Sequence, residues 1–282
     1  MTGKIRSVST KPCGQAWLLI RCLAYPSLLF FEFFHLWYSP FLVGTFYVES
    51  LLLGRSDLAA KIVTVFNQKG GAGKTMVSCN LAETFGVRGL KTLLVDLDPQ
   101  GTASIWASMS ADERPLRTTA INLSHMARTA HREVRKFVDD YDVIVIDCPP
   151  AIQSVAPSVA LLISDLALIP VGGSGGNLWA IEEAKKLAAS AEVNNETLLI
   201  RTLPNMYQNV SIVRQVFQHL AEDPSVPMMK SRLGLRAAFK EAETTGQSVH
   251  SIGGAREAVR EINAVADEVS ALLSIAGGKR GK

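Results

Sequence analysis

Residues 61–85 constrain the fold of this chain more than any other stretch. Ile62, Val63, Val65 and Phe66 belong to a short apolar, β-branched run that reads as a buried strand. A glycine-rich turn follows, from Asn67 to Thr75, and 76–85 then reads as a helix. Strand, glycine turn and helix in that order are the context a phosphate-binding loop requires. Gly70, Gly71 and Gly73 let the backbone approach phosphate oxygens, and the helix N-terminus adds its positive end. Lys74 would reach the β- and γ-phosphates, and the Thr75 hydroxyl would sit on Mg²⁺. The standard loop has a glycine where this chain has Gln68. The pattern that fits is K-G-G-x-G-K-T, with a second lysine, Lys69.

Beyond 61 the chain alternates strand and helix, which predicts an α/β fold: a P-loop NTPase with a doubly wound, mostly parallel sheet and helices on both faces. Strands are expected at 91–96, 142–147, 165–170 and 197–202, with a short one at 226–229. The run at 142–147 is almost wholly apolar, as a central parallel strand should be. Helices are expected at 124–138, 178–191, 210–220 and 255–273. The helix at 124–138 carries Arg128, Arg132, Arg135 and Lys136. A flexible glycine-rich loop is expected at 172–176.

Three carboxylates sit at or just after strand ends: Asp96, Asp98 and Asp147. Ligands bind at that edge of a parallel sheet. Asp147 closes an apolar strand downstream of the loop, where P-loop enzymes hold Mg²⁺ through an acidic residue. Asp96 could serve the same ion. Asp98, in a turn stiffened by Pro99, could orient or deprotonate an attacking water. A lone Asp at a strand end is more often a turn former or cap; the three together beside a phosphate loop point to chemistry.

K-G-G-A-G-K-T at 69–75, D-L-D-P-Q-G at 96–101 and V-I-V-I-D-C-P-P at 143–150 resemble the ParA family of deviant-Walker ATPases, relatives of MinD. The resemblance runs from 61 to about 273. It implies that Lys69 is the signature lysine that crosses a dimer interface to the partner's nucleotide. It also implies that the loop from Gly70 through Ala72 to Met76 holds ATP, that Asp98 activates water, and that Asp147 is the Walker B aspartate. An ATP-sandwich homodimer, nonspecific DNA binding, a ParB-type activator and a cytoplasmic, nucleoid-associated location are implied in the same way. The basic stretch 230–240 lies where ParA proteins place DNA-contacting arginines, which nominates Arg232, Arg236 and Lys240. An ordinary solvated helix face is the alternative for each. Asn205, after the fifth expected strand, lies where relatives contact adenine. No helix-turn-helix domain is readable before 61, so the smaller ParA type is the nearest match. The helix at 255–273 mixes Arg256 and Arg260 with Glu257, Glu261, Asp267 and Glu268 and lacks aromatics. It reads as packed on the domain and not as a MinD-type membrane helix.

Residues 1–60 differ from the rest. Eleven of the chain's 20 aromatic residues lie there, within an apolar tract at 16–53 behind a basic start. Arg21, Pro26, Glu32, His35 and Pro40 interrupt that tract, so no run of roughly 20 residues is free of both charge and proline. Three readings stay open for 1–60: an artefact of start assignment or a disordered leader, a membrane-associated segment, or a packed accessory element. Residues 61–275 are expected to form the ATPase domain and 276–282 a disordered tail. The four cysteines show no C-x-x-C pairing, which argues against a zinc site or a disulfide framework. Cys79 and Cys148 are expected to be buried thiols. The net charge of +3 permits nucleic-acid binding without demanding it.

Overall fold

Six parallel strands form one sheet in the order β3-β2-β4-β1-β5-β6. The computed structural model describes residues 59–150, 154–173 and 176–276. The expectations for residues 1–58, for positions 174–175 of the glycine-rich loop and for the tail from 277 lie outside these. The strands are β1 (Lys61–Val65), β2 (Thr92–Asp96), β3 (Thr119–Asn122), β4 (Val143–Asp147), β5 (Leu166–Gly172) and β6 (Leu199–Asn205). The helices are α1 (Lys74–Val87), α2 (Thr102–Ser108), α3 (Ala130–Arg135), α4 (Ala156–Leu161), α5 (Gly176–Glu192), α6 (Ser211–Ala221), α7 (Ala237–Thr245) and α8 (Arg256–Leu273). Among the described residues no helix is long and apolar enough to cross a membrane.

Strand pleating sends alternate side chains to opposite faces, and both faces are covered. Ile62, Val95, Ile144, Ile146 and Ile169 pack with α3, α4, α5 and α6 on one side. Val63, Val65, Leu94, Val145 and Leu168 pack with α1, α2, α7 and α8 on the other. Each fully buried Val, Leu or Ile contributes roughly 1.5–3 kcal/mol, so the near-continuous apolar runs of β1, β4 and β5 fix these strands at the centre. Helix α1 is buried from Met76 to Gly86, and its polar side chains are satisfied inside the fold. Asn80 donates to the Met76 carbonyl at 2.9 Å and accepts from the Val249 amide at 3.0 Å. Helix α8 buries Ile262, Val265, Ala266 and Val269, so the expected closing helix does pack on the domain.

The strand order reverses beside β1, and this places the site. From β1 the chain crosses to β2 and β3, returns to fill the gap with β4, and then builds β5 and β6 on the far side. Val65 pairs with Asp147 and Asp96 pairs with Asp147. The turn after β1 and the carboxylates ending β2 and β4 therefore meet at one edge, the switch point of a doubly wound sheet.

Several boundaries differ from expectation. β3 was not anticipated: it is a short edge strand with a half-exposed pattern, and Thr-Ala-Ile-Asn lacks an apolar run. The expected helix at 124–138 is a 3₁₀ segment at Ser124–Thr129, kinked at Met126, followed by the short α3. Residues 226–229 make only an isolated bridge, Met228 to Thr202. β6 runs on to Asn205, so Pro204 and Asn205 lie inside the last strand instead of following it.

Candidate functional site

The turn after β1 is held open by its own side chains. Asn67 donates its amide to the Pro170 carbonyl at 2.7 Å and accepts from the Lys69 amide at 3.1 Å. This ties the start of the loop to β5. Gly71 and Gly73 take φ values of +72° and +81°, conformations that cost an L side chain strain. At Gly73 there is also no room: a Cβ would lie 2.4 Å from the Asn205 amide nitrogen. At Gly70 and Gly71 a Cβ would meet nothing, so the backbone there faces open space.

Lys74 opens α1 and is buried, with its ammonium donating to the Lys69 carbonyl at 3.2 Å. Burial lowers its pKa; Asp147, Asp98 and Cys148 pull the other way. Thr75 donates its hydroxyl to Asp147 Oδ2 at 2.7 Å, and Ser78 lies 2.9 Å from Oδ1. Asp147 is fully buried, and burial above all pushes its carboxyl up to about 7; the hydroxyls of Thr75 and Ser78 and the Lys74 charge lower it, while Asp96 raises it. Ser78 was not anticipated. It is three residues from Thr75 and so on the same helix face, which is the signal that would have revealed it.

A cavity of ≈ 300 Å³ opens over this loop, lined by Gly70, Gly71, Lys74, Thr75 and Asp98 on one side and by α7 and the turn before it on the other. Asp98 is half-exposed at its rim. The loop carrying Asp98 is fixed by Asp96. Asp96 Oδ1 accepts the Asp98 amide at 3.0 Å, and Oδ2 accepts the amide and hydroxyl of Ser104 at 2.8 Å. Asp96 is 1% exposed. Both of its oxygens position the next loop, as both oxygens of Asp147 accept the hydroxyls of α1. Lys69 does not line this cavity. It lines a neighbouring groove of ≈ 490 Å³ with Val210, Ile212 and Leu235.

Asn205 ends β6 and is bonded to the loop. It is fully buried; its Nδ2 donates to the Ala72 carbonyl at 2.8 Å and its Oδ1 accepts the Met206 amide at 2.9 Å. The Nδ2 end braces the phosphate loop, and the Oδ1 end holds the residue that follows the strand. Arg232, Arg236 and Lys240 are all exposed. The Arg232 guanidinium lies over the Tyr207 ring at 4.2 Å. Arg236 is paired with Glu261 at 2.6 Å, and both Arg236 and Lys240 line the cavity beside the loop. The sequence missed that α7 forms this wall.

The residues fit a nucleoside triphosphate and a divalent cation. The bare glycine backbone and the buried Lys74 suit phosphate oxygens. The Thr75–Asp147 pair is an oxygen-ligand set, buried enough that a bound cation would restore charge to the carboxylate. A parallel doubly wound sheet with this loop at its switch point defines a P-loop nucleotide-binding protein. Residues 63–249 match the CobQ/CobB/MinD/ParA nucleotide binding domain, and the chain belongs to that family. It is 29% identical over 208 residues to the maintenance of carboxysome distribution protein A of Halothiobacillus neapolitanus, covering 73% of this chain and 95% of that one. It is 26% identical to protein IncC of Escherichia coli, over 74% of this chain and 68% of IncC. Among solved structures, the ATP complex of McdA from Cyanothece superposes with a TM-score of 0.63 at 16% identity, covering 77% of this chain and 98% of that one.

Proposed function

We propose that this protein is a ParA-type positioning ATPase: ATP joins two copies, the dimer attaches to DNA without reading its sequence, and hydrolysis releases it. The observation that carries the reading is the division of the two loop lysines. Lys74 is folded into its own loop, while Lys69, five residues earlier, lines the adjacent groove. A lysine placed outside its own phosphate cavity suits contact with a nucleotide held by a second copy. Gly70 to Met76 would bind the phosphates through backbone amides, and Asp98 at the rim would orient and deprotonate water. Magnesium, held by Thr75 and Asp147, would neutralise charge at the β- and γ-phosphates. Because Lys69 would act only while the γ-phosphate is present, cleavage would remove the contact that distinguishes dimer from monomer.

The relatives support two cargo readings. A DNA partition role with a ParB-type activator is one reading. A protein-assembly cargo is the second, favoured by the match to 95% of the length of a carboxysome distribution protein. Light scattering with ATP, ADP or no nucleotide tests the shared cycle, together with phosphate release in Mg²⁺. ATP alone should give dimers, and Lys69→Ala should give monomers that still bind ATP. Dimers in that variant would remove the assigned role of Lys69. Stimulation of phosphate release by a ParB-type protein would select the first cargo reading.

A further inference from the structure

The basic residues between β3 and β4 have no part in the nucleotide site. Arg128 sits in the 3₁₀ segment and Arg132 and Arg135 sit on α3. All three are exposed. Helix α3 buries Ala130 and Val134 against the sheet, which turns its other side to solvent. Arg132 and Arg135, three residues apart, share a helix face.

These arginines are unneutralised. Among the described residues none of the three makes an ion pair. Some surface cations elsewhere are paired, as Arg88 is with Asp267 at 2.9 Å and Arg236 with Glu261 at 2.6 Å; others, such as Arg214 and Arg256, are exposed without an ion pair but do not cluster as these three do within eight residues. The one carboxylate between 124 and 136 is Glu133, and Lys136 occupies it at 2.6 Å. His125 is exposed beside them, and Asp139 and Asp140 mark the far end of the patch.

We propose that Arg128, Arg132 and Arg135 form a docking surface for the phosphate backbone of double-stranded DNA. The proposal rests on the reading that the protein attaches to DNA, and supplies a surface for it. Planar guanidinium forks match phosphate oxygens in pairs. At helical rises of about 2.0 and 1.5 Å per residue, the three span roughly 11 Å. A duplex offers one negative charge per about 1.7 Å of axis, so several phosphates lie within that reach. An acidic protein partner would want an apolar anchor at the centre of its contact, whereas the large exposed apolar side chain here, Met126, precedes all three arginines and is not set between them in the chain. Single strands would want free aromatic platforms. Phe137 and Tyr141 instead pack edge to face at 6.3 Å, and Lys91 lies over the Tyr141 ring. The surface therefore reads backbone, not bases.

The test uses the full chain with random-sequence duplex DNA at several salt concentrations, with and without MgATP. Replacing the three arginines by alanine should reduce the slope of log K against log salt by about 2.7, from roughly 0.9 per lost phosphate contact. The triple lysine variant should keep most of the slope, and Arg232→Ala all of it. Arg132→Glu alone should weaken binding at low salt. Binding of a fluorescent ATP analogue and the melting temperature, read on the same samples, should not move in the alanine variant. Failure of the parent to bind the analogue would strike the nucleotide reading, whereas the slope judges the arginines. A parental slope in the alanine variant overturns the proposal. So does a parent that ignores duplex DNA, or one that binds polyglutamate in its place.

Discussion

Asp147→Asn probes the electrostatics of the site most directly. Burial holds the Asp147 carboxyl at about 7 against an ordinary 3.8. Between those values the folded protein keeps a proton that the unfolded chain has released. The stability of the nucleotide-free protein must therefore fall as pH rises through that window. Below the window both states are protonated and the contribution vanishes; above it the cost is complete. At about 1.4 kcal/mol per pH unit, the full cost is about 4 kcal/mol, of which about 3 kcal/mol falls between pH 5 and pH 7. Asparagine has nearly the same shape, never ionises and can still hydrogen-bond to Thr75 and Ser78. Urea unfolding of both proteins from pH 5 to pH 8, without nucleotide or metal, is the assay. The variant should become relatively more stable as pH rises, by about 3 kcal/mol. Glu83, which burial also raises, is present in both proteins and cancels. Added MgATP should then stabilise the parent and not the variant. Parallel pH profiles would refute the argument, because they would mean that Asp147 does not carry the cost of its burial.

Gly73→Ala should destabilise the protein by roughly 1–3 kcal/mol, from the strain of a positive φ and the 2.4 Å approach to Asn205; thermal melting reads it. Asn205→Ala should cost about 1–3 kcal/mol through the lost brace on Ala72 while leaving the ratio of ATP to GTP affinity unchanged; competition binding checks the second part. Asp98→Ala should keep ATP binding and dimerisation yet lower turnover by roughly 10²-fold or more, measured as phosphate release.

The legible parts of the fold were those where one local signal sufficed. β1, β4 and β5 are continuous apolar runs because both their faces are covered, and the glycine spacing at 70, 71 and 73 marks the loop before any packing is known. β3 was not legible, because an edge strand needs no apolar run: its neighbour β2 supplies the pairing. Among the site residues, Lys74, Thr75 and Asp147 lie together, and the cue for Asp147 was its place at the end of an apolar strand. Asp96 and Asn205 share a role that the sequence does not reveal. Each stands at a strand end beside the ligand cavity, and a sequence cannot show whether a polar side chain there is spent on its own backbone. Asp96 is spent on Ser104 and Asp98, and Asn205 on Ala72 and Met206. The α7 wall was missed because it comes from a helix more than 160 residues beyond the loop, brought there by tertiary packing alone.

Asp96 also has a consequence for turnover through the turn that it holds. Its two oxygens hold both ends of the turn that presents Asp98: the Asp98 amide at one end and Ser104, in the first turn of α2, at the other. Ser104 in turn accepts from Asn122 at 3.2 Å, at the end of the edge strand β3. A carboxylate that accepts three such bonds is costly to disturb in a buried setting. The position of Asp98 is thus set by the sheet and not by solvent. Asp96→Asn would replace one acceptor by a donor facing the Ser104 amide. That should loosen the turn and lower turnover while sparing ATP affinity, because the loop from Gly70 to Thr75 keeps its own braces at Asn67 and Asn205.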